Sequence, residues 1–326
     1  MVNKQKTTES FLIPIQNLLA RVEKKMREQT MNYHPDIAAA LQQIFSAGGK
    51  RVRPAVTLLT GGMLMGNTEQ LITLSAAIEL LHTATLVHDD LIDGALLRRG
   101  NATLNAKWSP AATVLTGDFV FARAAKLAAD TDSLEVMRLF AETLSLIVNG
   151  ELIQQLSSRS LATWADYEQR IYAKTASMFE LSSSAAAMLS PVSPAIVGKM
   201  RTFGYSIGMA FQIVDDVIDF TGDPSNVGKP VASDLRQGLI TLPAILFSES
   251  FPENQELSSL MNGGEISETS FDGLVSSIRN SDAIQQSIDK ARFYVERSLI
   301  ILEDMPDTTE RAALVDLANY IINRDF

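Results

Sequence analysis

The chain has 326 residues, 46% of them hydrophobic, and a formal net charge of −10. That is enough apolar material for a large core, and the acidic balance, with basic residues scattered among acids, argues against nucleic-acid binding. There is no cysteine, which excludes a disulfide framework and suits a reducing, cytoplasmic compartment.

The amino-terminal MVNKQKTTES is polar, and the FLIPI that follows is too short for a signal-peptide core. Residues 15–26 alternate apolar and basic positions, so transient contact with a membrane surface competes with ordinary helix packing. No uninterrupted apolar run approaches the roughly 18 residues of a spanning helix, and an integral membrane protein is not expected. After Pro35, DIAAALQQIF reads as a helix closed by Gly48-Gly49, with Pro54 opening the next. Lys50, Arg51 and Arg53 of GGKRVRP then lie at a helix N-terminus, where backbone amides favour anions. The bland alternative is a solvated charged turn.

Residues 79–100, ELLHTATLVHDDLIDGALLRRG, carry the chemistry. From residue 68, Leu71, Leu74, Ile78, Leu81 and Leu86 recur at the spacing of a buried helical face, and Gly94 is a natural stop. Asp89, Asp90 and Asp93 therefore fall at the helix C-terminus, where the macrodipole disfavours anions by roughly 0.3–1 kcal/mol each. Acids there require a cation, and Asp89 and Asp93, one turn apart, can converge on one. His82, two turns before Asp89 and only about 20° round the helix from it, shares that face. Glu79-Leu-Leu-His82 also fits the Glu-x-x-His of di-iron bundles, but those need the motif twice and the chain has it once.

Residues 108–189 read as three more helices, one opened by Ser109-Pro110, one preceded by Asp132-Ser133 and leading to GELIQQ, and one holding Tyr172, Lys174, Thr175 and Phe179. Ser193-Pro194 opens another apolar helix, which ends in FQIVDDVID and Gly222. Asp215, Asp216 and Asp219 thus repeat the first cluster's breach of helix chemistry, and repeated breaches are expected where function demands them. Six carboxylates need counter-charge. Oxygen donors without cysteine, and only three histidines, favour several Mg²⁺ ions over zinc or copper, with substrate phosphate completing the coordination. Arg98, Arg99, Lys50, Arg51, Arg53, Lys174 and Lys229 supply phosphate partners. The stretch GDPSNVGKPVASDLRQG is a polar loop suited to a lid. Turn residues dominate 251–273, and residues 284–302 and 308–323 read as packing helices. No alternating stretch is long enough for a sheet, so the class is all-α: one large helical domain over residues 1–326.

GGKRVRP, His82, DDLID with Arg98-Arg99, GELIQQ, Lys174-Thr175, FQIVDDVID and GKPVASDLRQG occur in the order seen in the trans-type polyprenyl diphosphate synthases, which the chain resembles from about residue 40 to 245. The resemblance implies a single helical bundle with a deep central cavity, a homodimer, and condensation of isopentenyl diphosphate with an allylic diphosphate after Mg²⁺-assisted ionisation. It implies that Lys50, Arg53 and His82 grip the isopentenyl diphosphate. Lys174, Lys229, Arg98 and Arg99 would receive the departing diphosphate, and Thr175 and Gln212 would steady the allylic cation. The six aspartates would hold the metal.

Short-chain members commonly place an aromatic four or five residues before the first aspartate, to form a floor under the growing product; here those positions are Thr85 and Ala84. Five residues of helix measure about 7.5 Å, so the floor lies deeper and a long-chain product, about C30 or above, is expected. Leu239 stands where short-chain members often carry lysine, which fits the same branch. A class I terpene cyclase is the alternative, although its second metal motif mixes asparagine or serine with acids. A non-catalytic subunit of a heteromeric synthase would lack aspartates or basic positions present here, and a metal-binding structural bundle leaves the lysines and arginines unexplained.

Overall fold

A computed structural model describes residues 9–29, 35–46, 50–98, 100–156, 163–222 and 231–324. The class is all-α, as expected. Among the described residues the only strand pairing is a two-residue hairpin, Leu97–Arg98 against Asn101–Ala102, turned by Gly100 at φ +76°.

The chain forms two compact units. The first holds residues up to Glu142 with Leu181–Arg201 and Asp304–Leu317; the second holds Thr143–Glu180, Thr202–Glu303 and the residues from Ala318 onward. In the first unit, α1 (Gln16–Glu28), α2 (Pro35–Ser46), α3 (Val52–Met63), α4 (Thr68–Ile92) and α5 (Pro110–Ala129) follow in order. The central α4 packs against α1, α3 and α5. It begins at Asn67, whose side chain accepts from the amides of Glu69 and Gln70, two of the donors every helix start leaves open. The helix is long and apolar enough to cross a membrane, with a mean hydropathy of 1.4 over its best window, but 78% of that window is buried inside the protein. It is the first unit's core helix. On α1, Val22 and Met26 are buried as well, so its apolar stripe is used for packing. Ser109 accepts from the amide of Ala112 to open α5, as its Ser-Pro pair predicts.

The next helix, α6 (Leu134–Leu156), runs into the second unit. There α7 (Trp164–Ile171) leads through a π-helical turn, Tyr172–Ala176, into α8 (Ser177–Met188), which belongs to the first unit from Leu181 onward. α9 (Pro194–Thr221) starts at the predicted proline. After it come α10 (Ser233–Arg236), α11 (Leu242–Ser250), α12 (Gln255–Met261), α13 (Glu268–Arg279), α14 (Ala283–Glu303) and α15 (Thr309–Ile322).

Three local expectations are corrected. Pro54 does not open α3, which starts two residues earlier at Val52; proline is tolerated there because the first-turn amide has no partner to lose. The single helix expected around Lys174 is two helices joined by the π turn. The segment taken for turns, 251–273, contains α12 and the start of α13, capped by Asn254 and Ser267, whose side chains accept from Leu257 N and Ser270 N. Phe271, Leu274, Val275 and Ile278 form the buried stripe of α13.

Candidate active site

The first cluster lies at the end of α4. Asp93 is the C-cap residue, its amide bonded to Asp89 O at 2.8 Å, and Gly94 takes φ +64°, where a side chain would be strained. Asp89 is half-buried, Asp90 buried and Asp93 exposed. Arg98 Nε donates to Asp90 Oδ1 at 2.8 Å, so the hairpin after the helix returns a cation to the acids that the helix end disfavours.

The basic motif of the same unit opens α3. Lys50 is exposed and Arg53 half-buried. Arg51 does not accompany them outward: its guanidinium donates to Glu79 on α4 at 2.6 Å and to Glu23 on α1 at 3.4 Å. His82, half-buried, follows Glu79 by three residues on α4, and its carbonyl accepts from the hydroxyl of Thr85 at 2.8 Å. Leu81 and Ala84 are fully buried.

The second unit carries the second cluster, and more of it is bonded. Gly208 allows α9 to approach the π turn: a Cβ there would meet Ala176 Cα at 2.5 Å. That approach lets Thr175 Oγ1 donate to Gln212 Oε1 at 2.6 Å, and Gln212 Nε2 donates in turn to Asp216 Oδ1 at 2.7 Å. Tyr167 of α7 donates to Asp216 Oδ2 at 2.8 Å. Burial above all, with the charge of Asp234, pushes the Asp216 carboxyl up to about 7, while the donors Gln212 and Tyr167 pull the other way. Asp215 accepts from Arg324 Nη1 at 2.7 Å; that guanidinium lies 4.1 Å from the Phe211 ring centroid and donates to Phe211 O at 3.0 Å. Asp219 accepts from Ser233 Oγ at 2.7 Å and from the amides of Ser233 and Asp234 at 3.2 Å, capping α10. Lys174, on the π turn, pairs with Glu151 of GELIQQ at 2.8 Å. π turns inside helices recur at functional positions.

Thus Asp90 with Arg98, and Thr175 with Gln212 and Asp216, are bonded groups. Among the described residues, no three histidine, aspartate or glutamate side chains are gathered closely enough to hold a metal ion. Arg99, Lys229 and residues 223–230 of the expected lid lie outside the described residues; the rest of that stretch is not the open polar loop expected, since it forms α10 with Ala232 and Leu235 buried. Sequence reasoning missed Tyr167, Arg324 and the Glu79–Arg51 pair. Only Glu79 carried a signal, being an acid in an otherwise apolar stretch of α4.

Residues 34–277 match the polyprenyl synthetase family model. The heptaprenyl diphosphate synthase component 2 of Geobacillus stearothermophilus is 35% identical, with 99% of this chain and 100% of that protein aligned. The all-trans-nonaprenyl-diphosphate synthase (geranyl-diphosphate specific) of Rhodobacter capsulatus is 34% identical over 97% and 98% of the two chains. A polyprenyl synthase from Caulobacter crescentus CB15, crystallised with calcium and isoprenyl diphosphate, superposes with a TM-score of 0.91 at 32% identity, covering 99% of both chains. The chain belongs to the polyprenyl synthetase family and is a chain-elongating prenyltransferase of its long-chain, trans-type branch.

Proposed function

We propose that this chain condenses isopentenyl diphosphate with an allylic diphosphate, that Mg²⁺ is its divalent metal, and that its product is about C30 or longer, a floor at least one helical turn below Ala84. The observation that carries the reading is the pair of D-D-x-x-D clusters ending α4 and α9, each supplied with an arginine, Arg98 or Arg324. The donor set fits a hard cation: carboxylate oxygens with no thiolate, and protein cations already drawn to the acids. Asp93, exposed at the end of α4, is the first ligand to test; Asp90, Asp215, Asp216 and Asp219 also carry bonds within the protein. Mg²⁺ held there would act as a Lewis acid on the allylic diphosphate oxygen and favour cleavage of its C–O bond.

The chain's own residues do the rest. Lys50, Arg53 and His82 hold the isopentenyl diphosphate, and Lys174, Arg98, Arg99 and Lys229 receive the departing one. The Thr175 hydroxyl orients the Gln212 amide, so that Gln212 Oε1 and the Thr175 carbonyl are the negative ends available to the allylic cation. The isopentenyl double bond forms the new C–C bond, and the proton lost goes to the released diphosphate. Ala84 and Thr85 leave space for the growing chain, and Thr85 spends its hydroxyl on its own helix. Apolar positions exposed on α5 (Val114, Leu115) and on α6 (Val148, Leu152, Leu156) support a homodimer. The absence of cysteine supports a cytoplasmic location.

The test is incubation of purified protein with labelled isopentenyl diphosphate, an allylic primer and Mg²⁺, with and without EDTA, resolving products by carbon number. A metal-dependent ladder ending at about C30 or beyond is expected from the depth of the floor. Products stopping at C15 or C20 would overturn the assignment of Ala84 and Thr85. The relative named as a component 2 favours a second reading, in which a partner subunit is required. It predicts product only when such a subunit is added.

A further inference from the structure

Arg51 occupies the left-handed region, φ 49° and ψ 34°, as the N-cap of α3. That conformation strains a residue with a side chain, and glycine would avoid the strain. Strain of this kind persists where surrounding structure over-determines it, and it gathers at functional positions. What over-determines it here is an ion pair. Glu79, only 6% exposed, accepts from Arg51 Nη1 at 2.6 Å, and Glu23 accepts from Nε at 3.4 Å. Burial alone would lower the guanidinium's pKa, but the two carboxylates outweigh it and hold Arg51 above its ordinary value. The Arg51 carbonyl meanwhile accepts from the amide of Ala55 at 3.0 Å and so starts α3. One residue thereby fixes the turn on which Lys50 precedes it and Arg53 follows it. Its carboxylate partner stands one helical turn before His82 on α4.

We infer that Arg51 is a positioning residue. Pinned by Glu79 and Glu23, it holds the backbone of residues 50–53 in the conformation that presents Lys50 and Arg53 to the diphosphate of the isopentenyl substrate. The inference rests on the reading of Lys50 and Arg53 given above. A purely structural ion pair would tie α1, α3 and α4 together and affect stability alone.

The experiment compares two double variants, each removing both charges so that no buried carboxylate is left unpaired. Arg51→Ala/Glu79→Gln retains the backbone strain without the clamp; Arg51→Gly/Glu79→Gln removes the strain with it. The Ala variant is expected to raise KM for isopentenyl diphosphate about tenfold, with kcat and the allylic KM changed less than about threefold. The Gly variant should fall between it and the wild type. Glu23→Gln, which loses only the more exposed partner, should raise the same KM by roughly twofold and serves if neither double variant folds. Lys50→Ala and Arg53→Ala run as controls. If they raise KM while the Ala double variant and Glu23→Gln keep the wild-type value, the positioning role is overturned and the diphosphate reading stands. If the controls leave KM unchanged, the diphosphate reading falls and the inference with it.

Discussion

The two aspartate clusters are the same string, D-D-x-x-D, at the ends of two long helices, yet they bear different loads. In the first, Asp90 is tied to an arginine, while Asp93 stands exposed beside a glycine that ends the helix. In the second, all three are bonded: Asp215 to Arg324, Asp216 to Tyr167 and Gln212, and Asp219 to the start of α10. An acid that caps a helix or satisfies a buried hydroxyl contributes to stability whatever else it does. The first cluster is therefore the place to remove function without removing the fold, and the second is where the two are coupled.

The largest expected effect separates them most cleanly. Asp93→Ala, at an exposed position, should lower the elongation rate by at least about a hundredfold, as loss of a preorganised electrostatic group does, and change unfolding free energy by no more than about 0.5 kcal/mol. Steady-state rates beside urea denaturation read both. Asp219→Ala breaks the comparison in the other direction: loss of the three bonds that cap α10 should destabilise the protein by about 2 kcal/mol in the same denaturation experiment. Tyr167→Phe removes the donor to Asp216 Oδ2 at a buried position, for a smaller loss of about 1 kcal/mol.

The smallest effect lies in the alkaline arm. Tyr294, whose hydroxyl donates to Glu168 at 2.9 Å, is raised far above the ordinary tyrosine range, first by burial and then by that carboxylate. Its raised folded pKa means that the unfolded chain loses the proton first, so stability falls as pH climbs past about 10. Tyr294→Phe should flatten that fall, seen as a smaller difference between denaturation midpoints at pH 9 and pH 11.

The first unit was the more legible in sequence because its signals are local. The apolar period from Leu71 through Leu81 and the stop at Gly94 define α4 within one stretch, and Ser109-Pro110 marks α5 as plainly. For the second cluster, the helix start at Pro194 was equally clear. Its supports were not. Tyr167 lies 49 residues from Asp216 and Arg324 lies 109 from Asp215, distances over which no spacing rule operates. The π turn depends on a close approach at Gly208 that only packing reveals. The helices α12 and α13 are short, sit among serine and glycine, and owe their starts to single capping side chains. At the basic motif the residue types were legible, but the inward turn of Arg51 was not, because its partners come from α1 and α4.

That Asp93 serves ligand binding and not the fold can be tested most directly by thermal unfolding of wild type and Asp93→Ala, with and without Mg²⁺ and inorganic diphosphate. Ligands that bind the folded state alone raise its melting temperature by mass action. The two proteins should melt together without ligands, and only the wild type should rise when both are added. A variant that melts well below wild type in the ligand-free buffer, or one that gains as much as wild type from the ligands, would contradict that role.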